Sequence, residues 1–143
     1  MPPNAYRITD LRDLDAAFTI REKVFVEGQG VPAALENDVH DRTNARHYLA
    51  RAKNGTPAGA ARWRATEHGV KLERFAVLEG FRNQEIGTAL LHAVLADVRA
   101  ELPGAEVYLN AQLKAVRFYE RHGFHKEGEM FEEAGIQHYR MVL

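Results

Sequence analysis

Residues 71–91 combine an apolar segment, glycines and a helical repeat, and such a stretch can form an anion-binding site. Residues 72–78 are rich in apolar side chains and charged only at their N-terminal end, which indicates a strand buried on both faces where it ends. From Ile86 the apolar residues recur at helical spacing, and Gly87 lies where that helix begins. Because a helix N-terminus carries unpaired N–H groups and a partial positive charge, this junction can bind an anion such as a pyrophosphate.

The rest of the chain alternates strand-like and helix-like segments around this junction. We expect strands over residues 6–9, 47–52, 58–65, 72–78, 106–110, 124 onward and 138–143, and helices after an N-cap at Asp10, over 86–101 and over 111–122. The Asn54-Gly55 turn favours an antiparallel meander of the second, third and fourth strands. Residues 130–135 are predicted to be a turn or loop. This order indicates a mixed α/β or α+β fold.

Length and composition narrow the class of protein. The chain has 143 residues, which suits a single domain over residues 1–143, and its formal net charge is −1. This charge gives no indication of a nucleic-acid partner, and no apolar run reaches the length of a membrane span. The absence of cysteine excludes disulfides, cysteine metal sites and a thiol nucleophile. Since the first residues also lack a signal-peptide pattern, we expect a cytoplasmic protein.

Two blocks of the sequence share the spacing of a known cofactor-binding motif. The first has an Ala-Val strand end, then Arg82 and Gly87, then a Leu-rich helix. The second consists of Asn110, Ala115, Phe118, Tyr119, Gly123 and Phe124. Together they resemble the acetyl-CoA signature of the GNAT acyltransferase superfamily, except that the family usually has glycine where this chain has Glu85. Residues 21–32, 36–41, 47–49 and 131–138 are similar to small bacterial members of the ElaA/YjcF type.

The resemblance covers essentially the whole chain and implies a fold and a cosubstrate. The implied fold is α+β, with a twisted, mostly antiparallel sheet of six to seven strands, flanked by helices and splayed between strands four and five. Acetyl-CoA would lie in that gap, with no metal involved. The implied cofactor-binding residues are Phe75, Ala76, Val77, Arg82, Asn83, Gln84, Glu85, Ile86, Gly87, Thr88, Asn110 and Tyr119. We expect the Glu85 carboxylate to point into solvent, where screening reduces its repulsion of a phosphate.

The resemblance also supplies candidates for the chemistry of acyl transfer. The backbone N–H of Val77 would face the thioester carbonyl, and Tyr119 would offer its phenol to the departing sulfur. Glu73 is the candidate base, and period-two counting places it on the same face of its strand as Phe75 and Val77. Two alternatives stay open: Glu73 as a solvated glutamate or one ion-paired with an arginine, and Tyr119 as a packing residue of the core.

The acceptor is less well defined by the sequence. Glu27, Asp38, Asp41 and His138 are the candidate substrate-binding residues, and the acidic ones would suit a cationic amine. The cluster of Glu36, Asp38, His40, Asp41 and His47 contains potential metal ligands, but its spacing matches no metal motif, and a solvated acidic loop is the simpler interpretation.

The sequence therefore predicts an N-acyltransferase that moves an acetyl group from acetyl-CoA to a primary amine, on a small molecule or a protein, within a ternary complex. Its partners would be acetyl-CoA and the amine, with neither nucleic acid nor membrane, and the superfamily's frequent dimers make a homodimer an expectation. Two alternatives remain. One is an enzyme like the acyl-homoserine-lactone synthases, which use S-adenosylmethionine. The other is a CoA-binding module without catalysis.

Overall fold

The computed structural model describes residues 3–143, in which the predicted strands pair into one eight-stranded sheet. The strands are β1 (Asn4–Arg7), β2 (Arg46–Arg51), β3 (Pro57–Thr66), β4 (Gly69–Val77), β5 (Val107–Gln112), β6 (His125–Lys126), β7 (Phe131–Glu133) and β8 (Ile136–Val142). Their order is β1-β2-β3-β4-β5-β8-β6, and β7 also pairs with β8. The pairs are antiparallel except for β4 and β5, so the predicted mostly antiparallel α+β sheet and the β2–β4 meander are confirmed.

Helices cover both faces of the sheet. They are α1 (Leu11–Arg21), α2 (Ala33–Glu36), α3 (His40–Thr43), α4 (Ile86–Glu101) and α5 (Val116–Arg121). A π-helical segment, Glu22–Glu27, continues α1. Asp10 caps α1 as predicted, because its Oδ1 accepts a hydrogen bond of 2.8 Å from the N–H of Asp13. None of the helices in residues 3–143 is both long and apolar enough to cross a lipid bilayer.

The two faces of the sheet carry separate apolar clusters. On one face α4 packs its apolar stripe against β2, β3 and β4, with Trp63 fully buried at the centre. Gly59 permits this close packing, because a Cβ there would lie 2.6 Å from Cγ2 of Ile86. On the other face α1 packs against the same three strands through a smaller cluster that includes Ile20 and Leu49.

The sheet splits between β4 and β5. These strands pair in parallel only from Val70 to Leu72 on β4 and from Val107 to Leu109 on β5. Beyond that point β5 continues to pair with β8 as far as Gln112, whereas the facing edge of β4 has no strand beside it within residues 3–143. The predicted splay between the fourth and fifth strands is therefore confirmed.

A β-bulge on β4 overturns one prediction. Glu73 pairs with Arg62 and Ala76 pairs with Ala60, so Arg74 and Phe75 together lie opposite one residue of β3. Arg74 takes the left-handed conformation, with φ of 58°. The extra residue reverses the alternation of side chains, and Phe75 therefore packs on the α4 side whereas Glu73 bonds to Arg62 on the α1 side. The prediction that Glu73 shares a face with Phe75 and Val77 is wrong.

Three further details differ from the sequence-based expectations. The sheet has eight strands rather than six or seven, because a short segment of the predicted turn or loop, β7, also pairs with β8. The predicted helix over residues 111–122 starts later, since Ala111 and Gln112 still pair with β8 and a 3₁₀ turn, Leu113–Ala115, precedes α5. The predicted loop over 130–135 is a hairpin, in which Ala134 and Gly135 both have positive φ, as a type I′ turn requires.

Candidate active site

The gap between β4 and β5 opens into a cavity of about 560 Å³. Its walls come from the end of β4, the end of β5, the segment after α1, and the β7–β8 hairpin. In the part of the chain that the structure describes, four non-glycine residues have positive φ, namely Arg74, Asn83, Glu85 and Ala134. Arg74 and Ala134 line the cavity, and the other two lie in the loop that leads from β4 to α4. Left-handed conformations of this kind concentrate at functional sites.

The loop from β4 to α4 forms the predicted phosphate site from backbone rather than from side chains. Asn83 and Glu85 each have φ of 64°, and no side chain caps the N-terminus of α4 within residues 3–143. The first N–H groups of α4 are therefore open to an anion. Gly87 brings this helix end close to α5, because a Cβ there would lie 3.3 Å from the Phe118 ring. Arg82 lines the cavity, with its Nε 3.4 Å from the carbonyl oxygen of Val77.

The structure explains what Glu85 does to this loop. Its side chain is exposed and does not line the cavity, which agrees with the expectation that it points into solvent. The residue is left-handed, a conformation that glycine adopts freely and that is unfavourable for a glutamate. A glycine at this position would take the same backbone conformation without that cost.

The free edge of β4 presents backbone groups to the cavity. The N–H of Leu78 donates to the carbonyl of Ala58, on the β3 side. Because successive N–H groups of a strand point to opposite edges, the N–H of Val77 points toward the gap. Phe75, Ala76 and Val77 line the cavity, as expected for residues beside a bound thioester.

Tyr119 lies on α5 at the floor of the cavity. Its ring packs edge-on against Phe75, Phe118 and Phe124, and only 7% of the residue is exposed. Burial raises the pKa of the phenol above its usual value, so the group stays protonated at neutral pH. Asn110 reaches the cavity from β5. The structure thus brings Asn110 and Tyr119, the two predicted cofactor-binding residues of the second block, to the same cavity as Val77.

A buried ion network lies between α1, the α2–α3 segment and the sheet. Arg21, 1% exposed, bonds Glu36 at 2.6 Å and Asp41 at 2.7 Å. Arg62, fully buried, donates to Asp38, Asp41 and Glu73 at 2.7–3.2 Å. The network therefore links residues 36–41 to strands β3 and β4 of the sheet.

Glu73 is a member of this network. One carboxylate oxygen accepts from Arg62 and from Arg64, and the other lies 3.2 Å from Nζ of Lys71. Burial alone would raise the pKa of Glu73, but the hydrogen bond from Arg64 and the charges of Arg62 and Lys71 lower it to about 2. Its surroundings are those of the ion-paired alternative, and a carboxylate with this pKa is a weak base.

The other acidic candidates lie away from the cavity. Asp38 and Asp41 do not line it, and bonds from arginines outweigh burial and lower the pKa of both carboxyl groups. Glu27 is exposed and also lies outside the cavity wall. The acidic segment is therefore an internal ion network rather than a solvated loop. Among residues 3–143 no group of three or more His, Asp or Glu side chains is arranged to hold a metal ion.

His138 is the candidate that the structure does bring to the cavity. It lies on β8, is 7% exposed and stacks on Phe131 with ring centroids 5.8 Å apart. Its Nδ1 is 2.7 Å from the carbonyl oxygen of Ile136, which can only accept, so Nδ1 carries the proton. Nε2, the nitrogen that faces away from this bond, lies 3.8 Å from Oε2 of Glu133 and can accept a proton when the ring is neutral.

Sequence reasoning missed two features of the cavity wall. Arg74 lines the cavity from the bulge, and Gln112 on β5 donates a hydrogen bond of 2.8 Å to Gln29 on the segment after α1. The bulge leaves no signal in the apolar pattern of β4. The available hint was an arginine in the middle of a strand that is otherwise apolar toward its end.

Comparison with known proteins agrees with this geometry. Residues 10–143 match the sequence model of the acetyltransferase (GNAT) domain family. The N-acetyltransferase YjcF of Bacillus subtilis (strain 168) is 37% identical over 130 residues, which are 90% of this chain and 91% of YjcF. The crystal structure of Escherichia coli ElaA superposes with a TM-score of 0.81 at 26% identity over 97% of both chains. An acyl-CoA N-acyltransferase from Pseudomonas aeruginosa superposes with a TM-score of 0.83 at 26% identity, covering 98% of this chain and 97% of the other. The chain therefore belongs to the GNAT family of acetyltransferases.

Proposed function

We propose that this cavity binds acetyl-CoA together with a primary amine and transfers the acetyl group directly between them. The observation that carries the proposal is the split itself. The unpaired edge of β4 and Tyr119 border one cavity, and Arg82, in the loop that leads to the uncapped start of α4, lines it as well. Family membership supports acyl-CoA as the donor. The cysteine-free sequence is consistent with our proposed cytoplasmic location.

In this proposal the cosubstrate lies across the gap. Backbone N–H groups over residues 83–88 hold the pyrophosphate, helped by the partial positive charge at the start of α4 and by Arg82. The pantetheine arm runs between β4 and β5, beside Phe75 and Asn110. This places the thioester carbonyl within reach of the Val77 N–H.

The transfer then follows from the groups around the thioester. The neutral amine attacks the carbonyl carbon, and the N–H of Val77 stabilises the negative charge that develops on the oxygen. The C–N bond forms, the C–S bond breaks, and the amine loses a proton to a base. Tyr119 donates a hydrogen bond to the departing thiolate. The raised pKa of Tyr119 makes complete proton transfer uphill from the phenol, because alkyl thiols such as cysteine titrate near about 8.5.

Two side chains are candidates for the base. Glu73 stays a prediction from the sequence, although its pKa of about 2 and its three cationic partners make it a weak proton acceptor. His138 is supported by its place in the wall and by the free lone pair at Nε2. Glu73→Gln and His138→Ala separate the two. The base is the residue whose variant loses kcat while the KM for acetyl-CoA is retained, and added imidazole is expected to restore only a histidine base.

The proposed function is tested by thiol release from acetyl-CoA in the presence of a panel of primary amines. Time-dependent release with at least one amine, and formation of the matching N-acetyl product by mass spectrometry, are the expected results. Bound acetyl-CoA that is never turned over with any amine would instead favour a CoA-binding module without catalysis.

A further inference from the structure

The α1 side of the cavity, which we call its acceptor end, lies beside the buried ion network. The positive and negative charges of this network are unequal in number. The ion network contains five cations, Arg21, Arg62, Arg64, Lys71 and Arg74, and four carboxylates, Glu36, Asp38, Asp41 and Glu73. The nearby His47 adds no charge at neutral pH, because burial lowers its pKa. The network therefore carries one positive charge in excess.

Arg74 brings this excess to the cavity wall. Its Nε donates to the carbonyl of Glu36 at 3.1 Å, and its Nη2 donates to the carbonyl of Leu35 at 3.1 Å. Its only contacts with carboxylates among residues 3–143 are longer, 3.3 Å to Asp38 and 3.5 Å to Glu36, and both of those carboxylates already bond another arginine. Nη1 donates no hydrogen bond to any part of the chain that the structure describes.

The remaining charges of the cavity do not cancel that excess. The charged residues of the wall are Glu36, Lys71, Glu73, Arg74, Arg82, Lys114 and Glu133. Glu36 and Glu73 are ion-paired with cations of the network. The remaining carboxylate of the wall is Glu133, which is half-exposed on the opposite hairpin beside His138. A second positive charge on the acceptor would therefore be repelled at the Arg74 side, whereas an anion would be attracted there.

We propose that the acceptor is a small primary amine that also carries an anionic group, a carboxylate or a phosphate, which the free edge of the Arg74 guanidinium binds. This inference rests on the proposed function and names the substrate class of that site. It replaces the expectation that acidic residues bind a cationic amine. A guanidinium suits this role because its planar N–H groups match the geometry of carboxylate and phosphate oxygens. The positive surroundings also favour the neutral form of the amine, which is the nucleophile.

The test uses acceptors in matched pairs that differ in one anionic group. The pairs are phenylalanine and phenethylamine, tyrosine and tyramine, histidine and histamine, and O-phosphoethanolamine and ethanolamine. We measure kcat/KM by thiol release for each member with the wild-type chain, and then with Arg74→Met and with Arg64→Met. Arg64→Met is the matched control, because it removes one positive charge from the same network at a residue that does not line the cavity.

For at least one pair, the wild-type chain is expected to prefer the anionic member by about tenfold or more, the effect of one charge-assisted hydrogen bond. Arg74→Met is expected to abolish that preference and Arg64→Met to retain it. The pair that shows the preference identifies carboxylate or phosphate. Amines that react as well as or better than their anionic partners in every pair, or a preference that survives in Arg74→Met, would overturn the inference.

A binding arm separates this inference from the proposed function. Calorimetric titration with N-acetylphenylalanine, N-acetylphenethylamine, O-phosphoethanolamine and ethanolamine needs no turnover. If no amine is acetylated but an anionic member still binds about tenfold more tightly than its partner and depends on Arg74, the proposed function fails and the anion site stands. If amines are acetylated without any preference for an anion, the proposed function stands and the inference fails.

Discussion

The proposed binding site has two walls, the start of α4 and the α1 side of the cavity, and they are built in opposite ways. At the start of α4 the groups offered to a ligand are backbone N–H groups, and the side chains of Asn83, Gln84 and Glu85 are exposed. On the α1 side, the acceptor end is supported by buried side chains, with Arg21 and Arg62 almost inaccessible to solvent. A site formed by backbone tolerates changes of side chain as long as the chain path is kept. A site held by buried charges depends on the identity of each residue.

The largest loss of stability is expected when the buried Arg62 of the ion network is replaced. Arg62→Met leaves three carboxylates without their shared cation, and the expected loss in the free energy of unfolding is about 3–5 kcal/mol. Urea denaturation measures it. Arg64→Met is the control, because Arg64 is 18% exposed and holds one carboxylate, so its loss is expected to be about 1 kcal/mol. Similar losses for both variants would contradict the account of a cooperative buried network.

Low pH is expected to lower the free energy of unfolding by protonating carboxylates of the same ion network. The folded pKa of Glu73, about 2, lies below its usual 4.5, so its contribution is complete above that value and is lost as the pH falls toward 2. The shift corresponds to roughly 3 kcal/mol. The lowered pKa values of Asp38, Asp41 and His47 act with the same sign.

Urea denaturation between pH 6 and pH 3 tests this, with Glu73→Gln as the comparison. The variant is expected to have a shallower dependence on pH than the wild-type chain. Identical slopes would mean that Glu73 titrates as it does in the unfolded chain.

Tyr119 lies between the two walls, and its phenol is predicted to affect the rate of the reaction and not the stability of the fold. Tyr119→Phe keeps the packed ring and removes the phenol, so we expect kcat to fall about 100-fold, the effect of losing one hydrogen-bond donor to a charge that develops in the transition state. The KM for acetyl-CoA and the melting temperature are expected to change little. Tyr139→Phe, a tyrosine on β8 outside the cavity wall, is the control. Equal rates for the two variants would leave Tyr119 as a packing residue.

The smallest effect is expected at Glu85. Glu85→Gly removes a left-handed glutamate, which is unfavourable by roughly 1–2 kcal/mol, although the more flexible unfolded chain offsets part of this gain. It also removes a carboxylate near the phosphates, and acetyl-CoA should bind less than about tenfold more tightly because the exposed charge is screened.

Glu85→Gln separates the two contributions, since it removes the charge and keeps the backbone strain. A Kd that improves in Glu85→Gly and not in Glu85→Gln would assign the effect to the backbone. Weaker binding in both variants would show that the Glu85 side chain contributes to the site.

The same contrast explains what the sequence predicted. The start of α4 at Ile86 follows from a short-range pattern, because strand, loop and helix are consecutive in the chain. The split sheet and the places of Val77 and Tyr119 were implied by the family resemblance. The acceptor wall depends on contacts between residues far apart in sequence, such as Arg21 with Asp41. The acidic segment was therefore interpreted as solvated, although its carboxylates are partners of buried arginines.

One residue accounts for the error on β4. The bulge at Arg74 moves Glu73 to the face opposite Phe75, and period-two counting cannot detect an inserted residue. The same bulge places Arg74 on the cavity wall. The residue that period-two counting does not detect is therefore also the one that we propose binds the anionic group of the acceptor.

We propose that the backbone N–H groups at the start of α4 bind acetyl-CoA in spite of Glu85. Calorimetric titration of the purified chain with acetyl-CoA, and in parallel with S-adenosylmethionine, tests it most directly. We predict one site per chain with micromolar affinity for acetyl-CoA and no heat with S-adenosylmethionine. No binding of acetyl-CoA, or binding of S-adenosylmethionine in its place, would contradict the account.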